Sequence, residues 1–150
     1  MTYDSTEDTT KHIKRVQELC FTICSEIMKR GFEHDKSKLD KIEKDLFDDM
    51  SPKLKGCTYG SEEYYEFLKK LAPALENHYK VNSHHPEFHK EGFSGMTLID
   101  LIECFADWKA ATERHADGDL KKSIEINSKR FNMPPQLTAI FENTRKSLNL

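Results

Sequence analysis

The chain carries seven histidines, and their placement says more than their number. In order come His12, the pair His34–Asp35, then His78, the pair His84–His85, and finally Asp107. Each falls at a helix start, a helix end or a loop between helices, or on an inward helical face. Imidazole nitrogens mixed with carboxylate oxygens suit Mn, Fe, Co, Ni or Zn, whereas an all-carboxylate set would suit Mg or Ca. Adjacent side chains leave the backbone in different directions, so His34 can bind one ion while Asp35 reaches a second or bridges both. Asp107 sits between Ala106 and Trp108 in an otherwise apolar stretch, where an unpaired carboxylate is costly and calls for a partner or an ion. Taken singly, each residue has an ordinary reading: His12 as a satisfied core histidine, Asp35 as a helix cap, His84–His85 as a solvated loop. The joint series points to one or two divalent transition-metal ions. His89 and His115 fit no ligand spacing and read as surface residues.

The elements that must position these groups are helical. Ile13, Val16, Leu19, Cys20, Ile23 and Ile27 recur at three- and four-residue steps after a Thr9/Thr10 start, and Gly31 is a natural stop. This periodicity predicts that His12, Val16, Leu19 and Ile23 share an inward face. Residues 33–50 read as a second helix or a turn followed by one, and residues 51–60, with Pro52, Gly56 and Gly60, as a loop. A third helix is expected over 61–82, capped by Ser61 and kinked or split by Pro73 near Lys70. The histidine- and glycine-rich stretch 83–95 reads as loop. Thr97 and Asp100 form a capping-box pattern ahead of a fourth helix expected to run on to about Gly118. Asp119 opens a fifth, and Pro134–Pro135 suit the first turn of a last helix ending near Leu148. No strand-like alternation and no internal repeat occurs. The expected fold is all-α, an irregular bundle of about five to six helices in a single domain of 1–150, with a flexible leader at 1–8 and a C-terminal helical pair at 117–150. In that pair Phe131, Ile140 and Phe141 serve as core or as homodimer contacts, and the sequence leaves both open.

With 150 residues the chain can bury a core without staples. Hydrophobic residues at 37 % and charged residues at 33 % describe a polar but foldable chain. No apolar run approaches a membrane span, and no apolar signal core opens the chain, so neither a membrane nor secretion is expected. The net charge of −3 argues against tight binding of long nucleic acid. Cys20, Cys24, Cys57 and Cys104 make no CxxC pair; a reduced, buried role is expected, with Cys20 and Cys24 on an apolar helix face.

The ordered residues H…HD…H…HH…D, with His34-Asp35-Lys36-Ser37-Lys38, His84-His85-Pro86-Glu87 and Ala106-Asp107-Trp108-Lys109-Ala110-Ala111, resemble the HD superfamily of metal-dependent phosphohydrolases. The nearest pattern is the branch with extra histidines for a second ion, which includes the HD-GYP phosphodiesterases. The chain is also similar to a family of short bacterial and phage proteins sharing HDKSK, HHPE and the DWKAA helix. The resemblance covers roughly residues 12–114. It implies an HD-like fold in which His12, His34, Asp35 and Asp107 hold a first ion. His78, His84 and His85 hold a second, Asp35 bridges the two, and Lys38 faces a substrate phosphate. The GYP tripeptide is absent and Ser37 stands where the family has glycine, which points away from a cyclic dinucleotide.

The expected activity is hydrolysis of a small phosphate ester, foremost a nucleotide, in the cytoplasm of a bacterial cell or phage-infected host. The bound ion activates water, and Asp35, Lys38 and Glu87 are the catalytic candidates. Lys38, with Lys109 and Arg114 from the stretch after Asp107, would meet the substrate's charge. Two other classes compete. HD-type di-iron oxygenases share the ligand order and would be marked by tightly held iron and oxygen uptake. A non-enzymatic metal- or ligand-binding module would be marked by unfolding, not only silencing, when the metal is removed.

Overall fold

A computed structural model describes residues 3–56, 62–114 and 118–150. Among them are six α-helices joined by turns and short 3₁₀ segments, with no strand, so the fold is an all-α bundle. The chain divides into two compact units, Met1–Glu33 and His34–Leu150.

The first unit is one long helix, α1 (Thr6–Glu33). Asp4 Oδ1 accepts hydrogen bonds from the Thr6 amide at 3.0 Å and its hydroxyl at 2.6 Å, which satisfies an N-terminal donor. The helix therefore starts three residues before the expected Thr9 and takes in Thr6–Asp8 of the expected leader. Its apolar periodicity is as expected, but no residue of α1 is buried. Ile13, Val16, Leu19 and Ile23 are each more than two-fifths exposed. Within this unit the stripe that carries His12, Cys20 and Cys24 has no second element to pack against. A single helix forms its stripe from local periodicity alone, whereas burial needs a second element.

The second unit holds α2 (Lys41–Gly56), α3 (Glu62–Val81), α4 (Leu98–Thr112), α5 (Leu120–Arg130) and α6 (Pro135–Leu148). Helices α2 and α3 pack through Met50, Leu71 and Ala74, with Phe47, Leu54 and Phe67 around them. That packing explains two departures from expectation. A proline within a helix removes a hydrogen bond and costs about 3 kcal/mol. Yet α2 runs through Pro52 to Gly56, where a loop was expected, and α3 is not split at Pro73. In both helices buried apolar residues flank the proline and hold the next turn in place. Ser61, Cys57 and His115 lie outside the described residues.

A second core joins α4, α5 and α6: Cys104, Phe105, Trp108, Leu120, Ile124 and Phe141, closed by Phe93 and Met133 from the connecting segments. Phe141 is therefore core, Phe131 packs on it, and Ile140 is half exposed. The buried Cys104 thiol is pushed up by its surroundings, above all by burial. The expected capping box at Thr97 and Asp100 is present in both directions, and Asp119 caps α5 through the amides of Lys121 and Lys122. Helix α4 ends at Thr112, short of the expected Gly118, which leaves Arg114 beyond it. No helix among the described residues is long and apolar enough to cross a membrane.

Candidate metal centre

Three segments of the second unit, together with Asp107 on α4, bring the candidate ligands together. The first is the turn at His34–Asp35, which leads into a 3₁₀ segment over Lys36–Leu39. Asp35 takes the left-handed conformation, with φ 56°. Aspartate tolerates that region better than most residues because its short side chain adds little steric conflict, and the turn sends His34 and Asp35 in different directions. The second segment is the end of α3, which contributes His78. The third is the loop after α3, which contributes His84 and His85.

That loop is pinned at both sides of its histidines. The Ser83 hydroxyl donates to Asp100 Oδ1 at 2.7 Å, and the same Asp100 carboxylate accepts from the Thr97 amide and hydroxyl. Helix α4's cap thus anchors the residue before His84. His89 Nε2 lies 2.8 Å from the Ser83 carbonyl, so the half-buried His89 is a brace inside the loop, not the surface residue the sequence suggested. Gly95 fits against this brace, since a Cβ there would come within 3.0 Å of the His89 Cβ.

The imidazoles converge on one carboxylate. His78 Nε2 is 3.1 Å and His84 Nε2 3.5 Å from Asp35 Oδ1. His34 Nε2 is 3.4 Å from Asp35 Oδ2 and 3.6 Å from Asp107 Oδ1. The opposite ring nitrogens are held by two buried acids. His34 Nδ1–H donates to Glu103 Oε1 at 2.9 Å, and His84 Nδ1 is 3.1 Å from the same oxygen. His78 Nδ1–H donates to Glu43 Oε2 at 2.9 Å, while Asn77 donates to Glu43 Oε1 at 2.7 Å. A carboxylate only accepts, so the Nδ1 atom of each of these rings carries a proton, and the Nε2 atoms face Asp35.

Four of the inward atoms crowd together without a well-formed hydrogen bond among them. Asp35 Oδ1 and the Nε2 atoms of His78, His84 and His85 are shut off from solvent without a hydrogen-bond partner. Leaving each such atom unsatisfied costs about 1–3 kcal/mol. Asp35, His78, His84 and His85 each offer a donor atom within 4.8 Å of the others, and His34, Asp35 and Asp107 form a second such group. These buried groups could hold a metal ion, and an ion would satisfy the orphaned atoms at once. A third grouping, His34, His84 and Glu103, shares the same spacing. Its contacts are the hydrogen bonds that orient the rings, so it reads as their support.

The electrostatics agree with a site built for positive charge. Hydrogen bonds to Asp107 and Glu103 raise the His34 pKa to about 10, so a proton on His34 offsets the surrounding carboxylates. Burial works against the Asp35 carboxylate, but His78 and Lys38 outweigh it and hold the group below the usual carboxylate range. Asp107 behaves alike: burial opposes ionisation and His34 overcomes it. His85 is pushed down to about 3, first by burial and then by the neighbouring His84 and His78, which keeps it neutral and able to donate a lone pair.

The structure thus brings together six of the seven expected ligands: His34, Asp35, His78, His84, His85 and Asp107. His12 lies on α1, in the first unit. Lys38 donates to Asp35 Oδ2 at 2.5 Å and lies over the Phe47 ring, at the edge of the cluster. Lys109 is paired with Glu113 at 2.9 Å and Arg114 is exposed. A cleft of about 200 Å³ opens beside His85 and Asp107, and neither Lys109 nor Arg114 lines it. Glu87 does, together with Arg130, and the two pair at 3.3 Å.

Sequence reasoning passed over Glu43, Glu103 and Arg130. Glu103 had a signal: Asp100, Glu103 and Asp107 recur at helical spacing in an otherwise apolar helix. No curated protein and no solved structure matches this chain. A family model matches residues 1–149, and the chain belongs to that family, DUF5662, a family of unknown function.

Proposed function

We propose that this protein is a metal-dependent phosphohydrolase acting on a small phosphate ester. The observation that carries the reading is the convergence of orphaned Nε2 and Oδ1 atoms from His78, His84, His85 and Asp35 in one buried cluster. Asp35, His78, His84 and His85 would hold one ion; His34 and Asp107, sharing Asp35, would hold a second. The mixed nitrogen and oxygen donors favour a first-row transition ion. Such an ion supplies Lewis acidity and lowers the pKa of water at the site.

The cleft beside His85 and Asp107 supports chemistry over a purely structural ion, because a catalytic site keeps one side open to substrate. In the reaction, water's oxygen bonds to phosphorus as the ester P–O bond breaks. One water proton goes to a base, and the departing alcohol oxygen takes up a proton. Glu87, on the cleft wall, is the carboxylate placed to carry that proton between the two oxygens. Lys38, beside Asp35, supplies positive charge for the phosphoryl oxygens.

The test is elemental analysis of protein purified without a chelating tag, paired with phosphate release from a panel of phosphate esters. First-row metal in the wild type, lost together with phosphate release in Asp35→Asn, is the expected result. Wild-type protein that takes up no Mn, Co, Ni or Zn on soaking would sink the reading. Iron with oxygen uptake and no phosphate release would replace it with an oxygenase.

A further inference from the structure

The cleft beside the ligand cluster has a composition of its own. Its lining includes His85 and Asp107 together with Tyr79, Glu87, Trp108, Asn127, Arg130 and Phe131. Trp108 is buried in the apolar core, so one wall is fixed by packing that has nothing to do with the ligands. Arg130 is held in place by two contacts. Its guanidinium lies 4.5 Å from the centre of the Phe131 ring, and Nη2 donates to Glu87 Oε1 at 3.3 Å. Its side chain is still 57 % exposed, so it can reach an incoming group. Arginine's planar fork matches phosphate oxygens better than any other side chain, and stacking on an aromatic ring sets its plane in advance.

Size limits what can enter. At about 200 Å³ the cleft falls below the roughly 300–1,000 Å³ typical of pockets for drug-sized ligands. Against that range the space suits a phosphate group with a short carbon chain. A base and a ribose would have to lie outside it.

We infer that Arg130 is the anion-binding residue of this cleft, and that the substrate is a compact phosphate monoester smaller than a nucleotide. The inference rests on the phosphohydrolase reading and narrows it. The phosphoryl group sits between the ligand cluster and Arg130. The guanidinium shifts part of its hydrogen bonding from Glu87 to phosphate oxygen, leaving Glu87 freer to take a proton. Asn127 offers a neutral donor and acceptor to the same group, and Trp108 and Phe131 bound the short carbon part.

Inorganic phosphate, the reaction's product, is the direct probe. Titrated calorimetrically into Mn-loaded wild-type protein, Arg130→Lys and Arg130→Gln, it should bind the wild type tightest and Arg130→Gln about ten- to a hundredfold more weakly, the loss expected for charge-assisted hydrogen bonds. Arg130→Lys, which keeps the charge without the fork, should fall between. Metal content and melting temperature should be the same in all three, since Arg130 touches no ligand. Equal phosphate affinity in wild type and Arg130→Gln, or no phosphate binding to Mn-loaded wild type, would overturn the role of Arg130. Failure to load Mn would instead overturn the phosphohydrolase reading beneath it. In turnover, glycerol phosphate should exceed adenosine monophosphate in kcat/KM by about tenfold, one missed anchoring contact's worth. A preference for the nucleotide would overturn the size limit.

Discussion

Helix α4 separates two interiors built on opposite principles. On one face Cys104, Phe105 and Trp108 meet Ile124 and Phe141 in an apolar core. There Phe105 and Trp108 make edge-on contacts with Phe141, with ring centres 5.2 and 5.7 Å away. On the other face Asp100, Glu103 and Asp107 meet His34, His84 and the loop that carries it. The apolar core is complete as it stands, because dispersion and burial need no particular partner atom. The polar interior leaves donor atoms of four residues without partners. The comparison teaches that one half of this unit stabilises itself, while the other needs something added.

Cutting into the apolar side should have the largest effect. Ile124 is fully buried, and Ile124→Ala should lower unfolding free energy by about 2–5 kcal/mol through lost burial and a cavity. Denaturant titration measures that loss, and metal stoichiometry should be unchanged. If Ile124→Ala also emptied the metal site, the two interiors would be one cooperative structure and the comparison would break.

The polar side should respond in the opposite manner. Glu43→Gln keeps the volume beside His78 but loses the charge that holds its ring proton. Metal affinity should fall about 10- to 100-fold, as is usual when the partner of a ligating histidine is altered. Competition with a chromophoric chelator would measure the fall, with melting of the metal-free protein little changed. An unaltered affinity would make Glu43 an ordinary buried acid.

The smallest effect concerns protons. The His34 pKa is raised from its ordinary 6.5 to about 10, so the metal-free protein carries that proton at pH 7. The resulting stabilisation of the metal-free fold is fully present below 6.5 and lost as pH rises through about 10. A metal ion must displace the proton from Nε2, so metal affinity should rise with pH over this window, by at most about tenfold per unit. His85, pushed down to about 3, has no proton to give at neutral pH. Calorimetry of Mn binding in buffers of different ionisation enthalpy should therefore report about one proton released per His34-bound ion. Release of none would remove His34 from the ligand set.

Much of this arrangement was legible before any coordinates, and the exceptions share a cause. The caps at Thr97 and Asp119 and the start of α6 at Pro135 are local features, set by residues three or four apart, and they stand where the sequence put them. The candidate ligands His34, Asp35, His78, His84, His85 and Asp107 stood out by residue type. What stayed hidden depends on contacts between distant segments. Glu43 and Glu103 resemble the solvated acids found on most helices until the fold sets them against histidines 35 and 69 residues away. Arg130 resembles any basic residue in a last helical turn. His12 lies on a regular stripe, which predicts a face and not what covers it. Pro52 misled because a local breaker was outweighed by packing that only the folded pair α2 and α3 provides.

The left-handed turn at Asp35 carries a consequence for how this sequence can drift. Its backbone asks for glycine, asparagine or aspartate, and the ligand cluster asks for a carboxylate. Glutamate meets only the second demand, glycine and asparagine only the first, and aspartate alone meets both. A lineage that dispensed with the ion would be released at this position to asparagine or glycine with its turn intact. A lineage that kept the ion would have no neutral neighbour to step to. If the proposed metal site is right, position 35 read beside His78 and His84 should separate members that keep the whole ligand cluster from members that have lost it.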